Sequence, residues 1–297
     1  MPYGAVLVMA AAVLWGTTGT AQAVASYDGS PLPLGSARLV VAGLVFAGIL
    51  AARGARKVPW RAALTSRRTV AVVLLGAACV AAYQPAFFHG VQRTGVGVGT
   101  LTAIGSAPVF AGLGALLAGH RPGRLWWLST ATVLVGLGLL LRGGGALHVD
   151  LAGVLACLVA GAAYAAYTAT SRWLLLAGVP PTTVLAFLFA GGAALLLVSS
   201  PAANIAWLTR PDNLWLALYL GVVATALPYL LWVAGLASVR TSTAATLSLT
   251  EPLTAALLGW LLLDEPVTST GLAGAGLVIA GLAATAVRRS PVPASSP

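Results

Sequence analysis

Apolar residues run along this chain in blocks about as long as a bilayer is thick, and the polar residues collect in the gaps between them. A hydrocarbon core of about 30 Å takes roughly 20 predominantly apolar residues as a helix. Ten stretches meet that requirement: 4–25, 34–52, 69–88, 95–118, 125–141, 151–172, 181–198, 214–233, 242–263 and 269–287. None has the two-residue alternation of a barrel strand, and each is far longer than such a strand. The pattern therefore predicts an all-α integral membrane protein with ten transmembrane helices. Ala21-Gln22-Ala23 resembles a small-residue cleavage site, but residues 1–5 carry no Lys or Arg. The first stretch is accordingly read as a retained helix and not as a signal peptide.

Composition agrees and removes alternatives. Charged residues make up 7% of the 297 residues and apolar ones 59%, with a mean hydropathy of +0.94. So few charges cannot cover the surface of a water-soluble body of this size. The net charge of +10 does not point to nucleic acid, because the basic residues sit in short breaks between apolar runs and form no stripe. Cys79 and Cys157 lie inside apolar runs and read as small hydrophobes. His89, His120 and His148 are scattered, so no metal site is expected, and no cofactor is implied.

The breaks set an orientation. With a cytoplasmic N-terminus, the inner side holds Arg53, Arg56, Lys57, Arg61, Arg67, Arg68, Arg121, Arg124, Arg172, Arg240, Arg288 and Arg289. The outer side holds Arg93, Arg142 and Arg210, with Arg38 near the outer end of the second span. This bias places both termini in the cytoplasm and the protein in the cytoplasmic (inner) membrane as a multi-pass chain. Asp28, Asp150, Asp212, Asp264 and Glu265 all fall on the outer side.

Two distant segments read alike. Residues 97–122, GVGTLTAIGSAPVFAGLGALLAGHRP, align with 241–266, TSTAATLSLTEPLTAALLGWLLLDEP, so that Pro108 meets Pro252 and Pro122 meets Pro266. Gly-rich apolar runs follow both. The chain is thus expected to hold two five-helix repeats, 1–141 and 151–289, joined by a connecting loop at 142–150. A short tail at 290–297 is expected to be disordered. Five helices is an odd number, so the second repeat enters the membrane from the opposite side. Such inverted repeats recur in secondary transporters, with the substrate site near the midplane between the halves.

On these residues the chain resembles a known family. TALPYLLWVAGLASVRTSTAATLSLTEPLTAALLGWLLLDEP at 225–266 is similar to the second-half signature of the EamA branch of the drug/metabolite transporter (DMT) superfamily, and LWGTTG at 14–19 to its opening Trp-Gly motif. The likeness covers essentially the whole chain. It implies an exporter, or less often an importer, of amino acids, other small metabolites or drugs. The small multidrug members carry a carboxylate in their first helix, whereas residues 4–25 hold none here, so the resemblance does not extend to their drug/proton antiport.

Candidate transport residues lie within the spans. Glu251 is the one ionisable residue in the middle of a span, where a charged side chain costs roughly 2.5–3.5 kcal/mol on insertion scales and must face the bundle interior or a wet cavity. It is a candidate proton carrier for coupling, a candidate partner for a substrate ammonium group, or a structural part of the Glu-Pro signature. Pro85, Pro108, Pro228 and Pro252 each remove a helix hydrogen bond and mark expected kinks. Trp15, Tyr83, Gln84, Phe87, Phe88, Tyr164, Tyr167, Tyr229 and Trp232 are candidates to line a cavity. Tyr83 and Phe87 share a helix face, Gln84 and Phe88 the adjacent one, and Tyr164 and Tyr167 also align. Trp126, Trp127, Trp173, Trp207 and Trp215 read as anchors at the membrane interface. Arg38 could sit at the cavity mouth and attract a carboxylate.

These features predict a secondary transporter that moves small organic metabolites such as amino acids by alternating access, with a small-molecule substrate and the lipid bilayer as partners. No Walker motif is present to couple it to ATP. The alternatives are a passive channel or facilitator, which needs a polar pore lining, and an intramembrane enzyme, which needs grouped catalytic side chains. Both a monomer and a homodimer remain open.

Overall fold

The computed structural model describes residues 3–25, 31–52, 66–94, 96–142, 150–199, 211–263 and 267–287. Asp28, Arg53, Arg56, Lys57, Arg61, Gly95, His148, Trp207, Arg210, Asp264, Glu265, Pro266, Arg288 and Arg289 lie outside the described residues, as do most of the 142–150 loop and the 290–297 tail. Ten helices follow one another, and no strand is present among the described residues. They are α1 (Tyr3–Val24), α2 (Pro31–Ala52), α3 (Arg67–Thr94), α4 (Val96–Leu117), α5 (Arg124–Arg142), α6 (Leu151–Leu176) and α7 (Pro181–Ser199). Then come α8, α9 and α10 (Ser269–Val287), the first two of them irregular. Among the described residues, six helices are long and apolar enough to cross a membrane, and four apolar helices are shorter.

Helix α8 starts as an α-helix (Pro211–Leu218), widens to a π-helix (Tyr219–Ala226) and returns to α (Leu227–Leu236) just ahead of Pro228. The widening is bridged by the Leu227 N–H donating to the Val222 carbonyl and by the Thr225 hydroxyl donating to the Leu220 carbonyl at 2.6 Å. The single helix expected over 242–263 is in fact two pieces, Thr241–Leu247 and Thr250–Leu262, which together form α9. At the break Leu249 donates to the Thr246 carbonyl and Glu251 to the Ser248 carbonyl, both in the tighter three-residue pattern. A proline at 252 has no N–H with which to continue the ordinary ladder. Pro85 and Pro108, by contrast, lie inside unbroken helices.

Helix ends are set by local chemistry. Asp150 caps α6, its carboxylate accepting the Gly153 N–H at 2.7 Å, and the same carboxylate pairs with Arg93 at the end of α3 at 3.5 Å. Helices α4 and α6 stop in the same way. Gly119 and Gly178 take positive φ values of 77° and 82°, and the next residue's N–H reaches back to the carbonyls of Ala115 and Leu174. Arg172, expected in a loop, belongs to the last turns of α6, and its Nη1 donates to the Leu236 and Val239 carbonyls at 2.7 and 2.6 Å. This guanidinium satisfies the last carbonyl of α8 and one in the turn that follows, and its positive charge suits the negative end of the α8 dipole.

Packing follows small residues. Helix α3 lies along α6 where Gly90 meets Gly153, and α1 lies along α8 where Gly4 meets Gly235, each glycine facing the other's carbonyl. Helices α5 and α10 cross at Gly136 and Gly281 and share a core of Val133, Leu137, Val278 and Leu282 with α4 and α9. Further contacts join α4 to α6, α1 to α9, α3 to α7, α2 to α8, α2 to α7 and α4 to α9. Close approach through small residues drives helix association in lipid, where apolar burial alone offers little. The outward faces carry Leu44, Leu74, Leu117 and Leu261, as a bundle bathed in hydrocarbon requires. Trp126, expected at the membrane interface as an anchor, is instead buried at 6% exposure, packed with Trp127 over Gly112 of α4.

Candidate functional site

A small cavity lies where α2, α3, α6, α7 and α8 converge. Arg38 and Leu39 come from α2, Cys79, Val80, Tyr83 and Gln84 from α3, and Tyr164 and Tyr167 from α6. Phe189 on α7 and Thr225 and Tyr229 on α8 complete the wall. Its volume of about 20 Å³ has room for a water molecule and not for an organic solute.

An aromatic network forms one side. Tyr229 lies 4.4 Å from Phe189 and 4.9 Å from Trp15 between ring centroids, and Tyr167 stacks on Trp232 at 5.4 Å. Tyr164 bridges to Trp15 and Tyr83, and Tyr83 in turn stacks on Phe87 at 5.6 Å. Each such pair adds about 0.5–1.5 kcal/mol beyond its area burial, so the wall is preorganised. Trp15 and Trp232 are buried, and their indole N–H groups have no hydrogen-bond partner among the described residues.

The spacing in α3 places its residues as expected from the helical period. Tyr83 and Phe87 stack towards α6, while Gln84 and Phe88 lie against Gly35 of α2, where a side chain would collide with the Phe88 ring. Gln84 is 5% exposed and still reaches the cavity. Phe88 does not line it.

Two charged groups frame this region. Arg38 reaches the cavity from α2, and its Nε is buried without a hydrogen-bond partner among the described residues. Glu251 opens the second piece of α9, its backbone carbonyl pressed on Gly16 of α1, next to Trp15. No ion pair joins Arg38 to Glu251, and the Glu251 carboxyl has no hydrogen-bond partner among the described residues.

The break in α9 is tied to this wall. Tyr164 and Ser248 share a hydrogen bond of 3.0 Å between their hydroxyls, while the Ser248 hydroxyl also reaches the Ala244 carbonyl. On another side, the Tyr219 hydroxyl of the π segment donates to Thr17 of α1 at 3.0 Å.

Trp15, Tyr83, Gln84, Phe87, Tyr164, Tyr167, Tyr229 and Trp232, drawn from four stretches of sequence, thus meet in one cluster, with Glu251 beside it. Phe189, Thr225 and Ser248 escaped the sequence reading. Phe189 sits in an uninterrupted apolar run with no polar neighbour to single it out, and Ser248 matters only because the chain breaks there. Phe189 faces Phe46 of α2 at 5.2 Å.

Comparison with known proteins points one way. A family model described as the EamA-like transporter family matches residues 2–142 and again 151–287. A Bacillus subtilis protein named uncharacterized transporter YwfM is 39% identical over 277 residues, covering 93% of this chain and 90% of its own. The threonine/homoserine exporter RhtA of Salmonella typhimurium strain SL1344 is 30% identical over 241 residues, 78% of this chain and 77% of its own. The RhtA of Escherichia coli K12 is 28% identical over 228 residues, covering 75% and 72%. A crystal structure with 20% identity superposes with a TM-score of 0.77 over 95% of both chains, a likeness of fold alone.

Proposed function

This chain belongs to the EamA-like transporter family, and from that premise we propose that it is a secondary active exporter of small organic metabolites, amino acids foremost, across the cytoplasmic membrane. It works by alternating access between two inverted five-helix repeats, 1–141 and 151–289, with both termini in the cytoplasm. The observation that carries the proposal is the cavity itself, walled by α2 and α3 from one half and α6, α7 and α8 from the other.

Three features support the two-fold arrangement. The family model matches the chain twice, once in each half. The helix pairs map onto one another when each helix is exchanged for the one five places away: α3–α6 becomes α1–α8, α4–α6 becomes α1–α9, and α3–α7 becomes α2–α8. The pairs α2–α7, α4–α9 and α5–α10 map onto themselves. Glycine crossings follow the same exchange, Gly90–Gly153 answering Gly4–Gly235. A fold with two equivalent sets of contacts can trade one for the other, which opens the same cavity first to one side and then to the other.

The water-sized cavity belongs to a closed state, and a solute enters only when the halves tilt apart. The aromatic wall supplies apolar contact, and Gln84, the tyrosine hydroxyls, Arg38 and Glu251 supply orientation, the usual makeup of a small-molecule site. The relatives named threonine/homoserine exporters support amino acids as the class and export as the direction.

The test is counterflow in proteoliposomes loaded with threonine, homoserine or another small amino acid. The expected result is saturable exchange, with the apparent affinity weakened about tenfold by Gln84→Ala or Tyr83→Ala, as for loss of a buried polar partner, and little by Trp127→Ala. Flux that is linear in solute and shows no counterflow would replace the carrier by a pore. Equal effects of all three substitutions would remove the cavity assignment.

A further inference from the structure

We propose that the cavity selects its solute by a single carboxylate, which Arg38 takes, and leaves an amino group unread. Its substrate class is then the small organic monocarboxylates, with or without an α-amine. This rests on the reading of the cavity as the transport site, and it adds which end of the solute is recognised.

The wall of the cavity carries one formal charge. Arg38 lines it, and no Asp, Glu or Lys is among the lining residues. A guanidinium is not deprotonated in proteins, so this charge cannot be shed. Its Nε is buried without a hydrogen-bond partner among the described residues, and so is the hydroxyl of Tyr167, which lines the same space. Gln84, another lining residue at 5% exposure, has no hydrogen-bond partner among the described residues either. All three border a space of about 20 Å³, with room for a single water molecule. Buried donors of this kind cost free energy until an acceptor arrives. The wall therefore offers donors in excess and a positive charge that nothing in it answers.

A carboxylate meets both needs. Its two oxygens match the parallel N–H groups of a guanidinium edge, and its charge cancels that of Arg38. A dicarboxylate or a phosphate monoester brings more negative charge than one guanidinium neutralises, and the excess is unfavourable once buried. An ammonium group, by contrast, meets no carboxylate in this wall. Glu251 turns its backbone carbonyl to Gly16 and is not one of the lining residues. What the wall offers an amine is the ring face of Phe189 or Tyr229, a cation–π contact that changes affinity by about fivefold at most while water still reaches it. The rest of the solute lies on Leu39, Val80 and the same rings, which accept apolar groups without specifying them. Selection is strict for one negative charge and loose for what it is attached to.

The experiment uses matched series built on leucine, phenylalanine and threonine. Each amino acid is compared with its amide, which lacks the carboxylate, and with its deamino acid (4-methylpentanoate, 3-phenylpropanoate or 3-hydroxybutyrate), which lacks the amine. Every compound is tested for counterflow in proteoliposomes and for thermal stabilisation of the purified protein. The amino acid and its deamino acid should compete within about fivefold of each other, and the amide should be weaker by about tenfold or more. Arg38→Gln should weaken both carboxylates by about tenfold or more and leave the amide unchanged, with partial recovery in Arg38→Lys. Unfolding temperatures near that of the wild type verify that both variants fold, and if they do not, the wild-type series decides alone. An amide that competes as well as its acid would overturn the proposal, as would an amine that proves indispensable. Equal weakening of all three forms by Arg38→Gln would overturn it too. Counterflow of other solutes but of none of these would overturn it and leave the transporter reading standing. Linear flux without counterflow would remove both.

Discussion

Helices α4 and α9 carry the two segments that align across Pro108 and Pro252, yet the chain passes the two prolines differently. In α4 it runs unbroken from Val96 to Leu117. In α9 it stops at Leu247 and resumes at Thr250. The surroundings account for the difference. Ile104 stands where α9 has Ser248, and it is buried in the core shared with α5 and α10. Ser248 holds the Tyr164 hydroxyl at 3.0 Å. The partner helices also differ in register. Gly161 of α6 rests on Ala103 and Ser106 of α4, whereas Gly16 of α1 rests on Glu251 and Thr254 of α9, one turn further along in the same alignment. Proline permits a break, and the side chains around it decide whether one forms. The helix that breaks is the one that carries the Glu251 carboxylate.

Moving that carboxylate gives the sharpest test of the asymmetry. Glu251→Ala should lower exchange by about tenfold or more, as loss of a functional intramembrane charge implies. Adding Ala107→Glu, at the matching place in α4, should not restore it. Recovery in the double variant would make the two halves equivalent at this depth and end the comparison. Next in size are the glycine crossings. Gly161→Val should destabilise the fold by about 1–3 kcal/mol through overpacking, read as a lower unfolding temperature in detergent. Gly19→Val, facing open space, should change it by about 0.5 kcal/mol at most. Gly16→Val should add a loss of exchange to its loss of stability, because its collision falls on the Glu251 carbonyl. The smallest effect belongs to the hydroxyl pair. A double-mutant cycle of Tyr164→Phe and Ser248→Ala should give a coupling of about 0.6 kcal/mol, typical of hydrogen bonds between membrane helices. A cycle that sums to zero would leave the break without its proposed support.

Much of this was written in hydropathy. Stretches expected at 181–198 and 269–287 are observed as Pro181–Ser199 and Ser269–Val287, because apolar length and helix length coincide inside hydrocarbon. They part at the ends. The third stretch, expected to close at 88, continues to Thr94, since His89 and Arg93 end the apolar run but not the hydrogen-bond ladder. Arg172 is absorbed into α6 for the same reason. The cavity was legible where spacing placed aromatic and amide groups on one face, as with Tyr83, Gln84, Tyr164 and Tyr167. Phe189 was not, because nothing in an apolar run tells a lipid-facing ring from a cavity-facing one. The break in α9 was hidden as well. Ser-Leu-Thr-Glu-Pro suits a continuous helix as well as an interrupted one until Tyr164, more than eighty residues away, closes on Ser248.

Arg172 grips two carbonyls of the corner between α8 and α9, and at the opposite end of the same helix Asp150 is clasped by Arg93. Helix α6 is therefore pinned at both extremities, like a spar lashed to two masts. If the corner swings, the spar must tilt with it and carry Tyr164 and Tyr167 along, so that the cavity wall and the break in α9, bound to Tyr164 through Ser248, shift as one piece.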